Sequence, residues 1–237
     1  MNIIIIGATS GIGKELCNLY IKKGNTVGIT GRRKNLLEQI YSSNPQKTFY
    51  QVADVTNIEE TNSAIQTLCQ QMGSIDIAIV CAGTGDINPE LEFEKEYPTL
   101  QTNIIGWTHI VGKIYSIFEK QGYGNLVTIT SIGGLRGEHG APAYSASKAF
   151  QINYTEALRK KAYKSGKPIY VTDIRPGFVD TDMAKGDGLF WVMPVEKVAH
   201  QISKAIQGKV AVKVVTKRWS ILAFIIKHLP YSIYKRI

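Results

Sequence analysis

The sequence predicts a doubly wound α/β fold, a seven-stranded, mostly parallel sheet with helices on both faces. Three observations carry this. Short apolar runs of strand length alternate with amphipathic segments of helical period along nearly the whole chain. A glycine-rich turn, Gly7-Ala8-Thr9-Ser10-Gly11-Ile12-Gly13, joins the first apolar run to the first helical segment. The length, 237 residues, suits one α/β domain with a sizeable core.

Taken in order, Asn2–Ile6 reads as the first strand, and about Gly11–Lys23 as a helix burying Ile12, Leu16, Leu19 and Tyr20. Thr26–Thr30 and Thr48–Ala53 are the second and third strands. A helix near Ile58–Met72 leads to a fourth strand, Ile75–Val80. A long helix covers roughly Leu100–Gln121, and Asn125–Thr130 is the fifth strand. The next helix runs from Pro142 to about Lys164, before a sixth strand, Ile169–Ile174. A loop rich in Gly and aromatics follows. The last helix of the body is about Pro194–Gln207, and Lys209–Val215 is the seventh strand. No repeat, low-complexity tract or interdomain linker interrupts this, so residues 1–216 form one domain and 217–237 a tail.

Cys17, Cys69 and Cys81 make neither a CxxC nor a metal spacing, and read as free thiols in a reducing, cytoplasmic setting. No metal site is expected. The start has no basic n-region, and no stretch approaches the ~18 apolar residues of a membrane span. The net charge of +9 is unevenly placed. Residues 197–237 carry nine Lys/Arg and no Asp/Glu, and the rest of the chain is balanced.

Glycines after the first strand permit a tight turn and let the backbone approach a phosphate, while the following helix offers free N–H groups to a pyrophosphate. This is the strand–loop–helix setting of a Rossmann dinucleotide site. An NAD site would place an acid about 20 residues on, to hold the ribose 2′-OH. Here the second strand ends in Thr30-Gly31-Arg32-Arg33-Lys34, with no acid and two arginines able to pair with a 2′-phosphate. The reading is NADP(H), with Arg32 favoured over Arg33 because it lies nearer the strand end. The alternative is that these are solvated residues opening the next helix.

Tyr144 and Lys148, four apart, share one helix face. A nearby ammonium lowers the pKa of a phenol, ordinarily about 10, and makes it a usable proton donor or acceptor. Ser131 ends the run Leu126–Thr130, so its hydroxyl stands at a strand's C-terminal edge, where it can bind a reacting carbonyl oxygen.

These residues carry a resemblance to the short-chain dehydrogenase/reductase family in its single-domain form, over about residues 2–215. Gly7-x-x-x-Gly11-Ile12-Gly13, with Thr9 and Ser10, matches the family's cofactor loop. Asp54-Val55 matches an Asp that contacts the adenine. Cys81-Ala82-Gly83 falls where the family has Asn-Ala-Gly. Asn103, Ser131, Tyr144 and Lys148 match the catalytic tetrad in order and spacing. Pro176-Gly177-Phe178-Val179-Asp180-Thr181 matches the segment near the nicotinamide. Two positions depart from the pattern: Ile6 stands for the usual Thr, and Cys81 for the usual Asn. The resemblance implies hydride transfer between NADPH and a carbonyl or alcohol. Tyr144 protonates the oxygen, Lys148 lowers the Tyr144 pKa and holds the nicotinamide ribose, and Ser131 steadies the oxyanion. Asn103 holds a water that links Lys148 to solvent. The resemblance also implies a homodimer or homotetramer.

Asp182–Pro194 sits where the family has a substrate lid, with Gly186 and Gly188 as hinges and Leu189, Phe190, Trp191 and Met193 either lining an apolar pocket or packing the lid down. Leu135 and Arg136 are placed to face substrate, and His139 reads as a loop histidine. In the tail, Trp219, Leu222, Ile226, Leu229 and Ile233 fall on one stripe, and Pro230 ends or kinks the helix. Basic residues beside an apolar stripe suggest peripheral contact with an anionic membrane; subunit packing is the rival. Nucleic acid is not expected as a partner. The leading reading is a reductase of an apolar or lipid-like carbonyl substrate. The alternatives are an NADP(H)-binding redox sensor or scaffold, and the reducing half of a two-protein epimerase.

Overall fold

The computed structural model describes residues 1–184 and 189–236. Seven strands form one sheet: β1 (Asn2–Ile6), β2 (Thr26–Gly31), β3 (Thr48–Val52), β4 (Ile77–Val80), β5 (Gly124–Ile129), β6 (Ile169–Pro176) and β7 (Val212–Val215). Their order is β3-β2-β1-β4-β5-β6-β7, and every pairing is parallel, where the sequence suggested a mostly parallel sheet. Parallel strands need crossovers, and helices supply them: α1 (Gly11–Lys22), α2 (Lys34–Ser43), α3 (Ile58–Met72), α4 (Phe93–Leu100), α5 (Trp107–Gln121), α6 (Pro142–Ser165) and α7 (Val195–Gln207). Two tail helices follow, α8 (Lys217–His228) and α9 (Tyr231–Tyr234).

The run of isoleucines in β1 is buried on both faces because its side chains alternate. Ile3 and Ile5 join a core with Leu16 and Tyr20 of α1, Leu37 of α2 and Ile202 of α7. Ile4 and Ile6 join the opposite core with Leu68 of α3, Trp107 and Phe118 of α5 and Leu158 of α6. Strand order reverses between β1 and β4, so the crevice over their C-terminal ends is the place for a ligand in a fold of this class.

Boundaries differ in several places: β6 runs on to Pro176, and a helix, α2, fills the stretch after β2, where the element order above places none. β4 begins at Ile77 and β7 at Val212, each later than the apolar run suggests. The long central helix begins at Phe93, not near Leu100. The polar stretch Glu92–Tyr97 has little apolar period, and Pro98 signals a break. The chain instead carries Pro98 inside α4 and rewinds through a π-helical segment, Gln101–Gly106, before α5. Such segments re-aim backbone carbonyls and recur at functional sites.

Candidate active site

The loop after β1 turns sharply at Gly7, whose φ of +87° is left-handed. A Cβ at Gly13 would collide with the Gly7 carbonyl, so helix α1 starts hard against the turn. Ser10 caps α1 without a side-chain bond to it, which leaves first-turn N–H groups for another acceptor. Across the gap stands Thr181: a Cβ at Gly11 would lie 3.1 Å from its Cγ2. Thr9, Ser10, Gly11, Arg33, Asp180 and Thr181 line a cleft of about 530 Å³. This cradle of bare backbone at a helix N-terminus fits a dinucleotide pyrophosphate. Ile12 turns its side chain inward against the core, so only its main chain faces this way. Val179 is likewise buried in the core.

The two arginines part company. Arg33 folds over the glycine loop: its Nη2 donates to Thr9 Oγ1 at 2.8 Å and to Ser10 Oγ at 2.7 Å. The Arg32 side chain is 73% exposed and lies 3.8 Å from Asp54 Oδ2. The turn after β2 thus points Arg33 at the cleft and leaves Arg32 beside Asp54. Asp54 accepts from Thr56 N at 2.9 Å, which fixes the loop carrying Val55.

At the other end of the crevice, β5 delivers Ser131, α6 delivers Tyr144 and Lys148, and the π-helical segment delivers Asn103. Ser131 Oγ accepts from Gly133 N at 3.0 Å and stands beside the Tyr144 phenol. Lys148 Nζ lies 5.8 Å from the centre of the Tyr144 ring and donates to Ile129 O at 3.2 Å and to Gln151 Oε1 at 2.9 Å. Ala82 and Gly83 pass directly over this group, with a Cβ at Gly83 only 3.3 Å from Lys148 Nζ.

The electrostatics correct one expectation. Burial pushes the Tyr144 phenol up from its ordinary value, and the neighbouring Ser131 hydroxyl, which lowers it, offsets this only in part. Desolvation is thus the larger influence on the phenol. Tyr144 is a neutral phenol, a proton donor at ordinary pH. Lys148 is lowered to about 8, first by burial, with Asp173 and Cys81 pulling it back up. Cys81, beside it, is pushed up to about 12 by burial and stays a thiol.

Asn103 is fully buried. Its side chain donates to Thr84 O at 2.7 Å and Ser147 Oγ at 2.9 Å and accepts from Thr84 N at 2.9 Å. Its carbonyl accepts from Gln151 Nε2 at 2.9 Å. Gln151 thus bridges the Asn103 carbonyl and the Lys148 ammonium. The sequence reading passed over Gln151, although it lies three residues from Lys148 on the same helix face. It also passed over Asp173, 1% exposed, which accepts from Thr130 Oγ1 at 2.6 Å and Arg175 Nε at 2.7 Å. A lone acid in the apolar run of β6 was the signal, since a buried charge needs partners.

Pro176 ends β6, and Gly177 donates its N–H to Val215 O at 3.1 Å. A Cβ at Gly177 would run into the Trp219 indole of α8. Trp219 is 2% exposed and closes an aromatic cluster with Phe178, Phe190 and Trp191, at centroid distances of 5.3–6.0 Å. The lid aromatics therefore pack onto the tail, although Phe190 and Trp191 stay about half exposed. Arg136, expected to face substrate, is turned to the tail: Nη1 donates to Leu229 O at 2.9 Å, and the guanidinium lies 4.4 Å from the Tyr234 ring centre. His139 is an exposed loop residue beside Glu138. Gly186 and Gly188, the expected hinges, lie outside the described residues. Among the described residues there is no cluster of metal-ligating side chains.

The short chain dehydrogenase family model matches residues 1–188, and the chain belongs to that family. It is an oxidoreductase of the family by that membership. An uncharacterised oxidoreductase of Staphylococcus aureus is 32% identical over 181 residues, covering 75% of this chain and 78% of that protein. The 3-oxoacyl-[acyl-carrier-protein] reductase of Chlamydia muridarum is 31% identical over 189 residues, 77% of this chain and 75% of that protein. Among solved structures, a short-chain dehydrogenase from Streptomyces avermitilis superposes with a TM-score of 0.86 at 21% identity, covering 99% and 94% of the two chains. A serine dehydrogenase complexed with NADP+ superposes with a TM-score of 0.79 at 24% identity, covering 86% and 88%. At that identity the superpositions speak to the fold.

Proposed function

We propose that this chain is an NADPH-dependent reductase of a carbonyl group on an apolar substrate. The observation that carries the reading is a half-buried, neutral Tyr144 beside Ser131, backed by a buried Lys148. The bound nicotinamide supplies the hydride. Ser131 orients the carbonyl and donates to its oxygen as negative charge develops there. Tyr144 Oη gives that oxygen its proton, and the raised pKa keeps the proton available at neutral pH, which favours the reductive direction. Lys148 carries a positive charge beside the phenol and holds the ribose hydroxyls, while Gln151 and Asn103 fix its ammonium.

Arg33, the open glycine loop and the lack of an acid at the end of β2 favour a 2′-phosphorylated cofactor. The serine dehydrogenase bound to NADP+ and a polyketide ketoreductase solved with NADPH share this fold. Asp54-Val55, Ala82-Gly83 and Pro176–Thr181 complete the proposed cofactor shell. The half-exposed Phe178, Phe190 and Trp191 favour an apolar substrate. We further propose a homodimer or homotetramer in a reducing compartment, in keeping with three free cysteines, and a peripheral membrane contact through the tail. The test is NADPH oxidation over ketones and aldehydes of rising chain length, beside Tyr144→Phe. The variant should lose turnover by ~10²–10⁴-fold while NADPH binding persists. Equal activity in the variant would end this assignment, and cofactor binding without turnover on any substrate would favour a sensor.

A further inference from the structure

The tail helix α8 is apolar on two opposite faces. One face carries the stripe read from the sequence, and it turns inward. Trp219 and Ala223 are buried, and Leu222, Ile226 and Leu229 are half-buried against the body. The members of the stripe on α8, and Leu229 at its end, are spent on packing, while Ile233, the last of the stripe, lies in α9 and is 50% exposed. The other face presents Ile221, Phe224 and Ile225, which are 66%, 67% and 49% exposed. Their i, i+3, i+4 spacing makes them one patch.

Beside this patch, at the sheet edge formed by β7, lies a cleft of about 860 Å³ lined by Lys197, Lys204, Lys213, Lys217 and Arg218, with no acid among its lining residues. None of the five forms an ion pair among the described residues. Lys217 and Arg218 open α8, so the basic cleft and the apolar patch meet at the helix N-terminus. The surface thus offers large apolar side chains flanked by cations that have no acid of their own.

We infer that this surface docks on an anionic phospholipid bilayer, with Ile221, Phe224 and Ile225 entering the headgroup region and the basic cleft meeting lipid phosphates. Two features choose this occupant. A second copy using the same surface would bring another set of cations and no acid from this cleft to pair with them. A nucleic acid would use the cations and leave the apolar patch in water. A membrane interface uses both. No described helix is long and apolar enough to cross a bilayer, so the contact is peripheral.

Docking there also places the active site. Arg136 ties the end of α8 to the loop after Ser131, and Trp219 ties its start to Gly177 and Phe178. The helix that meets the lipid is held to both loops that border the substrate side. This purpose rests on the apolar-substrate reading; the docking itself does not.

The test is co-sedimentation of the full chain with vesicles of phosphatidylglycerol and phosphatidylcholine, or of phosphatidylcholine alone. Binding is expected to the anionic vesicles only, and to fall steeply between about 0.1 M and about 1 M salt. Ile221→Ser with Phe224→Ser, and separately Lys213→Gln with Lys217→Gln and Arg218→Gln, should each weaken vesicle binding by ~10-fold or more. NADPH binding should be unchanged in both variants, which reports that they fold. No binding of the full chain to anionic vesicles overturns the inference. So does a serine variant that changes the oligomeric mass and not vesicle binding, which assigns the patch to a second copy. So does duplex DNA binding that matches vesicle binding and ignores the serine changes. Vesicle binding by a protein that reduces no carbonyl would leave this inference standing and remove the proposed reaction.

Discussion

Replacing Gln151 by Met should move the alkaline limit of activity downward by about one pH unit. Gln151 Oε1 accepts from the Lys148 ammonium at 2.9 Å, in a site where both residues are buried. A hydrogen bond to a charged group contributes about 1.5–3 kcal/mol, and one pKa unit corresponds to about 1.36 kcal/mol. The neutral amine keeps part of that bond, so roughly one unit of preference for the charged form is lost. Lys148 stands at about 8. In the proposed reaction its charged form is the working one, so kcat/KM for NADPH-dependent reduction should fall as pH rises through about 8 in the wild type and about 7 in the variant. Methionine nearly matches glutamine in volume, so packing is kept. Gln151→Glu, which sets a carboxylate against the ammonium, should move the same limit upward. The assay is a set of pH profiles for the three proteins with melting temperatures alongside. A lowered melting temperature with an unmoved limit in both variants would show that Gln151 only fills space, and would refute the coupling.

Arg33→Ala should weaken NADPH binding by ~10-fold or more with little effect on NADH, because charge-assisted bonds to a phosphate are lost. Arg32→Ala should change neither; titration with both cofactors separates the pair. Gly177→Ala should destabilise the protein by about 1–3 kcal/mol by overpacking against Trp219, and urea unfolding measures it. Lys148 has a folded pKa of about 8, below its ordinary value of 10.5. Between those values the unfolded chain binds more protons, so this group's contribution makes stability rise with pH across that window. Comparing the pH dependence of stability with that of Lys148→Met should show this rising contribution lost in the variant.

The doubly wound sheet was legible because the strands are short apolar runs and most crossovers have a helical period; α2 and α4 were not placed. Both cores follow from the alternation of Ile3–Ile6 alone. Tyr144 and Lys148 could be paired in advance because helical spacing is a local fact, and the resemblance added Ser131 and Asn103 to them. Spacing does not carry side-chain direction after a turn. Arg32 and Arg33 are adjacent, and only the backbone path into α2 decides which faces the cleft. The tail shares this limit: with apolar residues on two faces of α8, the pattern could not say which one the body claims. The phenol's pKa was misjudged because spacing reports a neighbouring charge but not how much water has been removed around both groups.

Gly106 closes the π-helical turn that holds Asn103. Any side chain there would strike the Val55 carbonyl. Three residues earlier, the Asn103 carbonyl holds Gln151, which holds Lys148. One turn of chain is therefore wedged between the loop after β3 and the ammonium of α6, the two extremities of the crevice. A methyl group at position 106 would act as a lever rather than a local clash, displacing the Asp54-Val55 loop and the lysine's anchor in a single movement.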